Sequence, residues 1–246
     1  MRAVNYRKAV TFSYDDGVSQ DTRLLSIFQK YGMKATFNLN TGIQTEESHF
    51  EIKGVSIHRM NQSDGLEQLY QGHEIALHGL THAAPSDLTV QEYEREFLQD
   101  ARNIQQIYGK YPLGMAYAYG DYSDEIIRYL QQIGIRYGRT VESSHQFALP
   151  QDPMRLRPTC HHNDERLFEL AEKFLAAEPK QDEPMLFYIW GHSYEFDVED
   201  NWERIEALCS MLGGRDDIFY GTNAECLGLV GEYISGKEVI CDFDKD

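Results

Sequence analysis

The sequence predicts one α/β domain over residues 1–246, built as a (β/α) barrel of about seven units. Three observations predict it. Strand-like apolar runs alternate with helix-like amphipathic runs along the chain, which implies parallel strands joined by helical crossovers. No internal repeat, low-complexity tract or linker breaks that alternation. The length of 246 residues suits a single domain with a substantial core.

The first strand is Ala9–Tyr14, closed by Asp15-Asp16-Gly17. Residues Ser19–Tyr31 read as a helix with Leu24, Leu25, Ile27 and Phe28 as its inner stripe, and Gly32 stops it. Lys34–Leu39 is the next strand. A long polar stretch, Asn40–Ser63, has room for a hairpin around Phe50–His58, and loops of this length often carry function. A short helix near Asp64–Gln71 leads to the strand Glu74–Leu77, which His78-Gly-Leu-Thr-His82 closes. Thr89–Tyr108 is a helix with Thr89 as its cap, Glu92 at the capping-box position and Gly109 as its stop. Then come a strand Met115–Tyr119, a helix from Ser123 to Ile133 and a strand Ile135–Val141. Asp164–Ala177 is helical, and Met185–Trp190 is a buried strand ending in Gly191-His192. Asp200 caps a helix to Leu212, Ile218–Tyr220 is strand-like, and Thr222–Ile234 is the last helix.

Charge narrows the partners. Lys and Arg total 23 against 40 Asp and Glu, a net charge of −17. Such a surface repels phosphate backbones and anionic membranes, so neither nucleic acid nor membrane is an expected partner. A small molecule or glycan is. Cys160, Cys209, Cys226 and Cys241 form no CxxC pair and fit reduced structural thiols. No apolar stretch approaches the ~18–20 residues needed to span a bilayer. Met1–Lys8 lacks the apolar core of a leader peptide, so a cytoplasmic location is expected.

Two segments carry chemistry. Asp15-Asp16-Gly17 supplies adjacent carboxylates, and His78 and His82 supply imidazoles four residues apart, each pair at the carboxyl end of a strand. That end is where α/β folds build their sites. Each piece alone is weak, since Asp-Asp-Gly is also an ordinary turn and nine histidines produce such a spacing readily. Their shared placement points to a metal-dependent hydrolase. If the chain turns helically after Leu77, the two imidazoles share one face about 5–6 Å apart.

The order Thr11-Phe12-x-x-Asp15-Asp16-Gly17, His78-x-x-x-His82, Tyr119-Gly120 and a late strand ending at His192 resembles the polysaccharide deacetylase (NodB-homology) family of carbohydrate esterases. The resemblance runs from about residue 9 to residue 195. It implies a distorted (β/α) barrel and one divalent ion held by Asp16, His78 and His82. It further implies Asp15 as general base, the Tyr119 backbone N–H at the oxyanion, and His192 as general acid. Zinc suits two imidazoles and a carboxylate, and cobalt, nickel or manganese fit as well.

Two positions leave the family pattern. Gly79 stands where a Ser or Thr usually follows the first histidine, so a hydrogen bond bracing the loop is lost or moved. Ala116 stands where an Arg usually holds the catalytic Asp. Arg139, on the next strand, is the candidate to tether Asp15 instead; the alternative is a surface residue at a strand end.

Other residues have plainer readings. His161 and His162, if in a strand, point to opposite faces and cannot share an ion; rim positions touching substrate are expected. Trp190, Tyr194, Tyr117 and the Tyr119 ring read as packing, with stacking on a sugar as the alternative for the first two. Glu195 and Asp197 read as solvated acids, although Glu195 could orient His192. The expected activity is N-deacetylation of an intracellular amino sugar or glycoconjugate. Hydrolysis of a cyclic amide or imide is the near alternative, and a catalytically dead sugar- or metabolite-binding domain is the distant one.

Overall fold

Lys8–Asp15 forms strand β1, and all eight residues are buried. A strand apolar on both faces belongs inside a parallel sheet with cover on each side, and β1 is the centre of one. The computed structural model describes residues 5–180 and 182–230. In it β2 (Ala35–Leu39), β5 (Glu74–Leu77), β6 (Gly114–Ala116) and β7 (Tyr137–Arg139) extend the sheet on one side of β1; β9 (Met185–Gly191) and β8 (Cys160–His161) extend it on the other. A short β10 (Phe219–Tyr220) pairs with the start of β1. All these pairings are parallel.

The sheet curls towards a barrel. Leu156 bridges β7 by accepting from Thr140 N–H and donating to Gly138 O, while Thr159 and His162 donate to Tyr188 and Trp190 of β9. One extended stretch, which includes edge strand β8, therefore links β9 to the opposite edge strand β7. The chain is a single-domain α/β fold with the distorted-barrel architecture that the sequence implies.

Helix α1 (Asp21–Tyr31) buries the predicted Leu24, Leu25, Ile27 and Phe28 and stops at Gly32 in the left-handed region, φ 69°. It packs with α6 (Leu167–Ala176) and α8 (Trp202–Leu212) against β1, β2 and β9 in the largest apolar cluster. A second cluster joins α4 (Gln99–Tyr108) and α5 (Asp124–Gln132) to β5 and β6. The hairpin is β3 (His49–Ile52) and β4 (Val55–His58), turning on Lys53-Gly54, both with positive φ. The short helices are α2 (Leu66–Leu69), α3 (Val90–Tyr93), α7 (Glu195–Val198) and α9 (Asn223–Cys226).

Several expectations are corrected. Thr89–Tyr108 keeps its capping box at Thr89 and Glu92, but a π turn at Glu94–Leu98 separates α3 from α4. The strand expected to reach Tyr119 ends at Ala116, because Ala118–Gly120 folds into a 3₁₀ turn with Tyr119 at φ 59°. Asn201, not Asp200, precedes α8. The last helix covers only Asn223–Cys226, and residues from 231 lie outside the described ones. Among the described residues, no helix is long and apolar enough to cross a membrane.

Candidate active site

Strand register aims seven carboxyl ends at one rim. Asp15 ends β1 opposite Asn38 of β2, so the Asn38 amide donates to Asp15 Oδ1 at 2.8 Å. Arg139 ends β7 and donates from Nη2 to Asp15 Oδ2 at 2.5 Å. Its guanidinium carbon lies 4.4 Å from the centroid of the Trp190 ring, and the side chain is 1% exposed. Burial pushes the Asp15 carboxyl up, but Arg139, His78 and His192 together hold it below its ordinary value. Both charges are out of water, so each depends on the other. Trp190 is thus packing beneath Arg139. The alternative of a surface arginine does not hold.

This geometry makes a specific demand on the side chain at position 139. An ammonium cannot reproduce the planar fork or the stacking on Trp190. Arg139→Lys should therefore lower turnover by about tenfold or more despite keeping the charge. Steady-state kinetics of purified Arg139→Lys check this; a fully active variant would discard the tether.

Asp16 follows in the left-handed region, φ 77°, with its N–H donating to Asn38 O at 3.0 Å. The turn swings its carboxylate towards the histidine loop. His78 begins that loop, and its N–H donates to Leu39 O. The His78 Nδ1–H donates to Ala116 O at 2.8 Å, which fixes the tautomer and frees the Nε2 lone pair. That Nε2 is buried with no hydrogen-bond partner. His82, at φ 59°, brings its ring to 4.7 Å from that of His78. The loop is irregular rather than helical, a correction to the helical expectation, because Gly79 and His82 both take positive φ. Left-handed non-glycine residues are costly, and three of the six in the described chain (Asp16, His82 and Tyr119) stand here.

The donor atoms of Asp16, His78 and His82 lie within 4.8 Å of one another. A carboxylate, two imidazoles and an orphaned buried Nε2 fit a divalent ion with open positions. The Ala116 carbonyl on the Nδ1–H is the outer partner such a histidine needs.

His192 follows β9, with Nε2 3.8 Å from Asp15 Oδ2 and Nδ1 3.6 Å from Glu195 Oε1. Burial pulls the imidazole down, yet Glu195, Asp15 and Asp16 outweigh it and raise its pKa to about 9. Ser193 donates to the buried Asp21 of α1 at 2.6 Å, which anchors this turn.

Glu195 is not a solvated acid. His161 Nε2 and His162 Nε2 lie 3.1 and 3.0 Å from its Oε2, and the His192 N–H donates to the same oxygen. Burial opposes ionisation, but the three imidazoles hold this carboxyl far below its ordinary value. The opposite-faces expectation fails because His161 ends β8 and His162 lies in the turn beyond it. His161 Nδ1 accepts from Asn163 N–H at 3.1 Å. Its proton therefore sits on Nε2, facing Glu195, the tautomer of a donor rather than of a metal ligand. His162 is fully buried and stacks on Tyr14 and Phe196, so it touches no substrate.

The remaining aromatics divide. Tyr117 is buried and donates to Met154 O. Tyr119 is 69% exposed with its ring 4.7 Å from that of His82, which is a rim position rather than packing. Tyr194 meets Phe50 of the hairpin edge-on. Asp197 is exposed and accepts from the Trp202 indole. Sequence reasoning missed Asn38, and also Arg59, whose Nη2 lies 3.4 Å from Asp16 Oδ1 while its guanidinium stacks on Phe50. Asn38 is signalled only by register with Asp15.

Comparison with known proteins bears on the family and the fold. The family model described as polysaccharide deacetylase matches residues 3–138, more than half of the chain. No curated protein matches the sequence significantly. Among solved structures, the chain is similar to a family 4 acetyl xylan esterase from Clostridium thermocellum in complex with a cobalt ion (16% identity, 91% of this chain and 92% of that one, TM-score 0.58). It is also similar to a family 4 carbohydrate esterase from Streptomyces lividans in complex with acetate (14%, 92% and 97%, 0.57). A third likeness is to a Streptococcus pyogenes deacetylase in complex with acetate (18%, 63% and 66%, 0.53). This chain spans just under two thirds of that last protein. At these identities the likenesses show the fold.

Proposed function

This chain belongs to the polysaccharide deacetylase family, and from that premise we propose that it is a divalent-metal-dependent hydrolase of C–N amide bonds. Its substrate is an N-acetylated amino sugar or glycoconjugate, from which it releases acetate. The observation that carries the reading is the placing of Asp15 and His192 3.8 Å apart beside the Asp16, His78 and His82 donors. Base, acid and ligand set share one rim.

Amide hydrolysis has two proton problems, and the residues divide them. The attacking water must lose a proton. Asp15, kept anionic by Arg139, His78, His192 and Asn38, is the base. The leaving nitrogen must gain a proton, because an amide anion is too poor a leaving group. His192, charged near neutrality, is the acid. The Tyr119 N–H, on a left-handed turn at φ 59°, would donate to the oxyanion. A divalent ion on Asp16, His78 and His82 would polarise the acyl oxygen and make the water more acidic. Zinc is the proposed ion on the donor chemistry, with cobalt, nickel and manganese as substitutes. Among the described residues, Cys160, Cys209 and Cys226 are free and buried, which suits a reducing compartment, and we place the enzyme in the cytoplasm.

The test is metal content with turnover of a panel of N-acetylated sugars and cyclic imides. Acetate release from the sugars, with one ion per chain, is expected. Turnover of the imides alone would select ring-opening hydrolysis, and no turnover with bound sugar would select the dead-domain reading.

A further inference from the structure

The loop that carries His78 and His82 has no regular structure of its own, so its shape must be imposed from outside. Asn40 does part of this, donating from its amide to both His78 O and Gly79 O at 2.8 Å. The larger share comes from Glu96, on the π turn Glu94–Leu98. Its Oε1 accepts from Thr81 N–H at 2.9 Å and Ala83 N–H at 3.3 Å. Its Oε2 accepts from the Thr81 hydroxyl at 2.9 Å. Its backbone carbonyl accepts from Leu80 N–H at 2.9 Å. One residue thus takes four bonds from the stretch between and just after the two histidines.

Two local features make this possible. In the π turn Gln99 N–H reaches back five residues to Glu94 O. That widened turn presents both the backbone and the side chain of Glu96 to the loop, and such turns recur where a helix serves a site. Gly79 is the other. It takes φ +83°, and a Cβ there would stand 2.8 Å from Glu96 Oε1. A side chain at position 79 and the Glu96 carboxylate compete for one space. Glu96 is 4% exposed and, among the described residues, meets no cation; its compensation is the set of loop donors.

We propose that Glu96 is the positioning residue of the histidine loop, setting the separation of His78 and His82 and hence the affinity for the ion. This rests on the reading of Asp16, His78 and His82 as metal ligands. The carboxylate accepts three of these four bonds, and an apolar side chain of similar length removes all three acceptors at once. In Glu96→Met the Thr81 and Ala83 N–H groups and the Thr81 hydroxyl lose their partner, whereas a glutamine could still serve them, its NH₂ donating to the hydroxyl oxygen. The loop must then shift, and the two Nε2 atoms shift with it.

The experiment is equilibrium dialysis of the full chain against Zn²⁺, with no substrate and no activity readout. Glu96→Met should raise the Zn²⁺ Kd by about 10–100-fold, the usual cost of removing an outer partner of a metal site. Thr81→Val, which removes one of the four bonds, should raise it by about 3–10-fold. Thr81→Val should add little on top of Glu96→Met, because the two act through one contact. Thr222→Ala separates positioning from plain stability. Thr222 caps α9, its hydroxyl accepting from Glu225 N–H, and α9 packs on β1. This variant should lower the melting temperature while leaving the Kd within about threefold.

A Glu96→Met Kd equal to that of the wild type overturns the proposal. So does an equal shift in Thr222→Ala. If Glu96→Met does not fold, the exposed Thr81→Val decides alone, and an unchanged Kd there overturns it. A wild-type chain that binds no Zn²⁺ defeats the ligand assignment and this proposal together. One ion in the wild type and unchanged affinity in the variants defeats only this one.

Discussion

His78→Ala is expected to leave the purified chain without stoichiometric metal and without measurable turnover. Among the described residues, His78 Nε2 is buried with no hydrogen-bond partner, and its Nδ1–H is committed to the Ala116 carbonyl. Removing it leaves one carboxylate and one imidazole, too few to hold a divalent ion against water. The fold should persist, because the ring hydrogen-bonds only to one carbonyl and the strand pairing of β5 does not depend on it. Such a bond is worth about 0.5–1.5 kcal/mol. Metal analysis beside a melting curve reads both quantities. The chain holds a second histidine–carboxylate cluster, His161, His162 and Glu195, so metal that survives His78→Ala would move the site there. The tautomer imposed on His161 by Asn163 argues for the opposite result.

What the sequence reveals of this site depends on the kind of signal. Both chemistry-bearing segments sit at the ends of apolar runs, and parallel strands deliver such ends to one rim, so the grouping of Asp15, Asp16, His78 and His82 followed from order, and His192 joined them through the family resemblance. Helix ends marked by glycine, at Gly32 and Gly109, came out where the residues put them. The π turn inside Thr89–Tyr108 did not, because one inserted residue leaves the apolar stripe nearly intact. Two-residue strands such as β8 carry no periodicity to read. Asn38 and Glu96 were invisible for a different reason: each acts across a pairing or a helix–loop contact far away in sequence. The same holds for Glu195, whose acidic surroundings in the chain suggested solvent. Three imidazoles, brought from β8 and the turn after β9, define it instead.

Asp15→Asn is expected to keep the ion and lose turnover by roughly 10²–10⁴-fold, the usual worth of a placed general base. An amide at this position can still accept from Arg139 and face Asn38, but it cannot take a proton from water. The change also has a structural cost. Arg139 is 1% exposed and would lose its carboxylate partner, and stranding a buried charge in this way costs about 3–5 kcal/mol. Loss of activity could then reflect a damaged fold rather than a missing base, so a second variant is needed. Asp15→Asn combined with Arg139→Met removes both charges and lets an apolar chain lie on Trp190, which should recover most of the melting temperature. If Asp15 is the base, the double variant regains stability and one bound ion while turnover stays down. If turnover returns with stability, Asp15 served only to neutralise Arg139. If metal affinity collapses in either variant, Asp15 is a ligand and Asp16 the base.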